Sequence, residues 1–293
     1  LSDPTVRQRL VARTLRQWRA DAGMVLDDVT SRLGWSRSKL SRLERAETIP
    51  GPAEVIVLAT IYDIPTPERD EYAALASHHR RDDWARAYPE DTITGELQDF
   101  IELESEASKL ENFEAVLIPG LLQTAEYAAA VAAGWDCGVP DDDIAVAHRT
   151  EVRVRRQARL HSDKPLLLHA VVHELALRSV IGGSQVMRRQ LHHLAASAER
   201  PNITLQVLPA SAGAHPSFGS TFAILHHGEH TTPTVFLDTL IRGIFIQEPE
   251  DVERCKITFE RLRDFALNST ESVRLIRAVA AEITTDEVGG ARW

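Results

Sequence analysis

Cysteine is almost absent from this 293-residue chain: Cys137 and Cys255 are the only two, far apart and without the close spacing of metal ligands. A disulfide scaffold and a structural zinc site are excluded as organising principles, and a reducing compartment is expected. Long apolar runs are missing as well. The longest run of small and apolar residues, Tyr127 to Trp135, falls far short of the ~20 residues that a membrane-spanning helix needs. No secretory pattern is read in the polar and basic opening residues, so the expected location is cytoplasmic, with no membrane partner. The signatures of common catalytic sites are lacking too: there is no Gly-rich phosphate loop, no HExxH and no nucleophile elbow. No internal repeat or low-complexity tract breaks the chain.

Acidic residues outnumber basic ones by 43 to 33, for a net charge of −10, but the excess is uneven. The first fifty residues carry ten Lys and Arg against six Asp and Glu. A basic head on an acidic body presents one end of the molecule to phosphates and turns the rest away. Within the head, the run Gly34-Trp35-Ser36-Arg37-Ser38-Lys39-Leu40-Ser41-Arg42-Leu43-Glu44-Arg45 stands out. Gly34 suits the left-handed turn that ends a preceding helix, and Ser36 suits an N-cap. Leu40 and Leu43 repeat at helical spacing and face a core, which leaves Arg37, Ser38, Lys39, Ser41, Arg42 and Arg45 outward. Such side chains match guanine edges and phosphates. Helices are expected before it over 5–22 and 26–33. Two more follow, one opened by Pro52 and stopped by Pro65, the other running from Thr66 to about His79. The sum is a compact all-α domain of about five helices over residues 1–80, a helix-turn-helix.

Residues 10–65 resemble the helix-turn-helix domain of the xenobiotic-response-element, or Cro/repressor-like, regulators, most strongly over Leu33 to Glu44. The rest resembles the large C-terminal domain of actinobacterial members described as antitoxin-like. The segments that carry this second likeness are Val116-Leu117-Ile118-Pro119-Gly120-Leu121-Leu122-Gln123-Thr124, Ala212-Gly213-Ala214-His215-Pro216 and Phe259-Glu260-Arg261-Leu262-Arg263. The chain departs from the first pattern in helix 2. Its opening polar pair is replaced by Val25 and Leu26, Thr30 stands where a small residue is usual, and Arg45-Ala46 replaces an Asn-Gly. The resemblance implies a double-stranded DNA operator, with Arg37, Ser38, Ser41 and Arg42 at base edges and Ser36, Lys39, Arg45 and Arg16 at phosphates. It also implies a small protein partner encoded nearby, and a homodimer is expected because one short helix reads too few bases for useful affinity.

A polar connector is expected over 81–95, with Trp84 pinning it to a domain. A mixed α/β domain follows over 96–284, and a flexible tail over 285–293. One long helix is predicted from Ile93 to about Phe113. Its Glu96, Asp99, Glu102, Glu104, Glu106 and Glu111 read as a solvated acidic face. A second helix begins at Pro119-Gly120. A third starts after Pro140 and carries Arg149, Arg153 and Arg156 on one side, a stripe suited to phosphates, an acidic partner or the acidic helix of the same domain. We favour the last. Strands are predicted at 166–173, 203–208, 220–225, 234–237 and 243–247, a roughly five-stranded sheet flanked by helices. The first two form a β-α-β crossover around a helix over 184–200, and the last three a meander. Two further helices, about 249–266 and 269–283, close the domain.

Twelve histidines invite a catalytic reading, yet His192-His193 and His226-His227 are adjacent pairs that do not share one side of a helix or strand, and no catalytic residue, metal or cofactor is expected. His173, His215 and Asp238 are the candidates for a ligand or partner site. The expected function is a sequence-specific DNA-binding transcriptional regulator whose C-terminal domain dimerises and binds a small protein. The alternatives are a one-component regulator that senses a small molecule and, from another class, an enzyme with a DNA-tethering head.

Overall fold

The computed structural model describes residues 4–77, 83–89, 93–134, 143–217, 220–239 and 242–283. The expected tail over 285–293, Cys137, and positions 81, 82 and 90–92 of the connector lie outside them. The chain divides into two compact units, residues 1–83 with 226–232, and residues 84–225 with 233–293.

The N-terminal unit is helical. Thr5 caps α1 (Val6–Asp21) through a reciprocal pair of bonds with Gln8, at 2.9 and 3.3 Å. The connection to α2 (Leu26–Leu33) is short. No side chain caps α2 from Val25, but the Val25 N–H donates to Asp28 at 2.9 Å, so part of the capping lost with the usual polar pair is recovered from inside the helix. Gly34 ends α2 at φ +65°, a left-handed conformation that costs a residue with a Cβ about 1–2 kcal/mol. Ser36 then caps α3 (Arg37–Glu44), accepting from the Lys39 N–H at 3.2 Å. α4 (Pro52–Ile61) starts with proline at its first turn, where a missing N–H is harmless, and α5 (Thr66–Ser77) completes the bundle. Leu10, Leu15, Trp18, Val29, Leu40 and Leu58 form its core. The segment 226–232 belongs to this unit by bonding as well. The Glu71 carboxylate accepts from the backbone N–H groups of Glu229 and His230 at 3.3 and 2.8 Å, and the Tyr72 hydroxyl from that of Thr232 at 3.1 Å.

The C-terminal unit is a mixed sheet flanked by helices. A 3₁₀ turn at Asp83–Ala87 groups with this unit from Trp84 onward, with Trp84 and Tyr88 packed edge to face and the Arg155 guanidinium 4.4 Å from the Trp84 ring. Trp84 does pin the connector. α6 (Gly95–Glu106) is followed by β1 (Lys109–Glu114), and then by a 3₁₀ turn at Gly120–Leu122 and α7 (Ala125–Gly134). α8 (Asp143–Arg156), β2 (Leu167–His173), the short α9 (Glu174–Arg178), α10 (Ser184–Ser197) and β3 (Ile203–Leu208) come next. β4 (Phe222–His226), β5 (Thr234–Asp238), β6 (Gly243–Ile246), α11 (Pro249–Phe265) and α12 (Ser269–Glu282) finish the unit. The strand order is β3-β2-β1-β4-β5-β6. β1, β2 and β3 pair in parallel, while β4, β5 and β6 form the expected antiparallel meander.

Two expectations need correction. The long helix from Ile93 to Phe113 stops at Glu106, and its last third is a strand near the middle of the sheet. Leu110 kept the helical apolar phase, but Leu110 through Phe113 are buried on both strand faces, and pairing with β2 wins over local periodicity. The acidic face is not a solvated one either: Glu104 and Glu111 are buried, and the others are half-buried.

Candidate functional site

In the N-terminal unit α3 carries the chemistry. Leu40 and Leu43 are buried as its spacing requires, which fixes the helix by one side. Its C-terminal end is pinned by Glu44, which is buried and accepts two bonds from Arg19 of α1, at 2.7 and 2.8 Å. Arg19 also donates to the Met24 carbonyl at 2.9 Å, so one guanidinium ties α1, the turn before α2, and α3 together. Sequence reading assigned Glu44 no role. A carboxylate at an otherwise buried helical position, with an arginine free to reach it from α1, was the available signal.

Arg37, Ser38 and Arg42 are exposed and Ser41 is half-buried on α3. Arg37 lies 3.5 Å from Asp27 of α2, a pair so open to water that it contributes little and yields readily to another anion. Arg42 makes no ion pair among the described residues. The residues expected at phosphates divide. Ser36 is committed to its cap, which leaves its backbone and helix N-terminus facing outward. Lys39 sits 3.9 Å from the Trp35 ring centroid and 3.5 Å from Glu54, and Arg45 pairs with Glu47 at 3.2 Å. Arg16 is exposed on α1. The structure thus brings Arg37, Ser38, Ser41 and Arg42 onto one short helix, with Lys39 on the same element, Arg45 at its C-cap and Arg16 on α1.

In the C-terminal unit the three candidate residues do not converge. His173 and His215 lie 5.7 Å apart, ring to ring, and His215 also packs on Phe113 at 5.6 Å. His173 accepts from the Leu175 N–H at 3.1 Å and so caps α9. Burial, and then His173, push the His215 imidazole below its ordinary value. His215 borders a surface depression with Pro216, Arg261 and Phe265.

Asp238 belongs elsewhere, to a cavity of about 560 Å³ built from α6, β1, α8, β4 and β5. The arginine stripe of α8 lines it: Arg149, Arg153 and Arg156 all border the space. Arg156 makes a bidentate pair with Glu104 of α6, 2.7 Å on each arm, which bears out the intramolecular reading for that arginine. Gly243 lets the wall close, since a Cβ there would come 2.4 Å from the Phe236 ring. Burial pushes the Glu114 carboxyl up to about 8 and, with Arg156 nearby, brings Arg153 down to about 10. Burial also raises Asp238 above its ordinary value, against the pull of Arg153 and Arg156. Glu114, Gln123 and the cavity itself were missed by sequence reading, because the cavity draws on elements far apart in the chain.

Among the described residues no helix is long and apolar enough to cross a membrane. Residues 10–72 match the family of helix-turn-helix domains. Residues 97–278, more than half of the chain, match the family described as Domain of unknown function (DUF5753). No curated protein and no solved structure matches the chain. The chain therefore belongs to the family defined by that C-terminal domain and carries a helix-turn-helix domain ahead of it.

Proposed function

We propose that this DNA-binding regulator recognises a specific operator as a homodimer of the Cro/repressor-like kind, α3 reading the major groove, and that its C-terminal unit receives the regulating signal. The observation that carries the reading is α3 itself: a capped, two-leucine anchored helix whose outward side is all hydroxyls and cations. Arg37 and Arg42 have the reach for a bidentate contact to guanine, and Ser38 and Ser41 are short enough to let the helix approach closely. Arg16, Lys39, Arg45 and the Ser36 end of α3 supply backbone contacts that position the helix without reading sequence. One short helix reads few base pairs, which favours two heads on a two-fold operator. The role of the C-terminal unit in this reading is binding, not catalysis, and the family resemblance makes a small protein one candidate for what it binds.

Arg42→Ala and Arg16→Ala, titrated against operator and random duplexes over a salt series, test the assignment. Arg42→Ala should cost about 1–3 kcal/mol on the operator and relax the preference at one base pair. Arg16→Ala should weaken both duplexes alike and lower the salt slope by about one. Equal losses on operator and random DNA for Arg42→Ala would remove α3 from the base-reading role.

A further inference from the structure

The cavity of the C-terminal unit has the volume of a site for a small organic molecule and walls of two kinds. One part is apolar, with Leu97, Leu110, Phe222 and the pair Phe100 and Phe236, whose rings lie 4.6 Å apart. The other is polar and charged, and its charges do not cancel. Arg156 is matched by Glu104 through two short bonds, and that pair suffices to join α8 to α6. Arg153, on the same side of α8, is different. Its hydrogen bond is a long one, 3.4 Å to the Ala128 carbonyl, and no carboxylate stands within ion-pair distance of it among the described residues. Glu114, which borders the same space, is pushed up to about 8 by burial, which weakens it as a counter-charge near neutral pH. Asp238 is the remaining carboxylate of the lining, and it makes no ion pair among the described residues.

A second signal is independent of charge. Gln123 is only 3% exposed and borders the cavity. Its amide nitrogen donates to the Ile118 carbonyl at 2.8 Å, while its Oε1 is buried with no partner among the described residues. A buried acceptor without a donor and a guanidinium without a carboxylate both carry a desolvation cost, and both belong to residues that border the same cavity. A ligand with a donor group and a carboxylate would offset both.

We propose that this cavity binds a small organic acid, its carboxylate held at Arg153 and its apolar body lying against Phe100, Phe222 and Phe236. A donor group on the ligand, a hydroxyl or an amide N–H, would complete Gln123. An inorganic anion would leave the aromatic wall unfilled, and a neutral apolar molecule would leave Arg153 unmatched. The inference goes beyond the proposed DNA reading and does not depend on it.

The test uses the full chain without DNA and ligand-observed NMR, with octanoate and 4-phenylbutyrate as probes, each beside its uncharged primary amide, and inorganic phosphate as the head group alone. The acids should bind at least tenfold more tightly than their amides, and phosphate should not compete with them. Arg153→Gln should abolish the preference for acid over amide. Asp238→Asn, which keeps the side chain's shape and removes its charge, should instead strengthen acid binding severalfold and leave the amides unchanged, so the proposal is still tested if the arginine variant does not fold. Equal binding of acid and amide, no binding of either acid at millimolar concentration, or an Asp238→Asn variant that binds the acids no better would each overturn it. Operator binding is read separately on the same protein, so failure of one reading is distinguishable from failure of the other.

Discussion

Arg153 and Arg156 share one side of α8, and their surroundings separate them. One is locked to Glu104, the other borders the cavity near a carboxyl that holds its proton. That carboxyl makes stability depend on pH. Glu114 is raised to about 8 by burial, with Asp238 adding to the rise and Asn112, Thr221 and Arg153 opposing it. In the unfolded chain it would titrate near the ordinary value of about 4.3. The folded protein therefore retains a proton that the unfolded chain has lost, and stability from this group is complete below about pH 4, falls as pH rises towards 8, and is gone above that. Within that window the slope can reach about 1.4 kcal/mol per pH unit for one proton. Glu114→Gln keeps the shape and removes the titration. Urea unfolding from pH 5 to 9 should show the variant gaining on the parent up to about pH 8 and running parallel beyond. Parallel curves over the whole range would mean that Glu114 does not hold the proton. None of this was legible in the sequence, where Glu114 is one acidic residue among many; its character comes from the walls around it. The spacing of Arg149, Arg153 and Arg156, by contrast, could be read directly, because helical phase alone places them together.

At the scale of elements, the helices of the N-terminal unit were readable because each carries its own start or stop signal: Thr5, Gly34, Ser36, Pro52 and Pro65 act within one turn of themselves. β1 was not, because what makes Lys109–Glu114 a strand is pairing with β2 more than fifty residues later. The five strands that were expected have Val, Ile or Phe in a run bounded by turn residues, whereas β1 reads Lys-Leu-Glu-Asn-Phe-Glu and hides its strand character behind charge. The same unit also shows how a buried polar side chain can join elements. Gln190 of α10 is fully buried, donates to the Leu122 carbonyl at 2.7 Å and accepts from the Thr124 N–H at 2.6 Å. It thereby fixes the turn that precedes α7. Gln190→Leu should cost roughly 2–6 kcal/mol, because it strands two buried backbone groups at about 1–3 kcal/mol each. Thermal unfolding checks this. A loss below about 0.5 kcal/mol would mean that the turn finds other partners.

For the whole molecule, the helix-turn-helix and the α/β class could both be read from sequence, and both are present. Dimerisation rests on the size of one recognition helix and on resemblance. Light scattering with operator DNA should give two chains per duplex, with footprint half-sites about 34–36 Å apart or at a multiple of that spacing. A single chain on a fully occupied operator at micromolar protein would argue against the homodimer.

The N-terminal unit is discontinuous in the chain: residues 226–232 belong to it, and residues 84–225 are synthesised in between. A ribosome adding about 5–20 residues per second completes the first stretch on the order of ten seconds before it reaches the second. During that interval Glu71 and Tyr72 have yet to meet the backbone groups of Glu229, His230 and Thr232. The head of a nascent chain should therefore resist protease less well before residue 232 has left the exit tunnel than after it. Pulse proteolysis of ribosome-stalled chains of increasing length would show this as a step in protection of the N-terminal fragment, and a smooth rise with no step at that point would count against it. A regulator built this way acquires its fully bonded DNA-binding unit only after most of the C-terminal unit has been made.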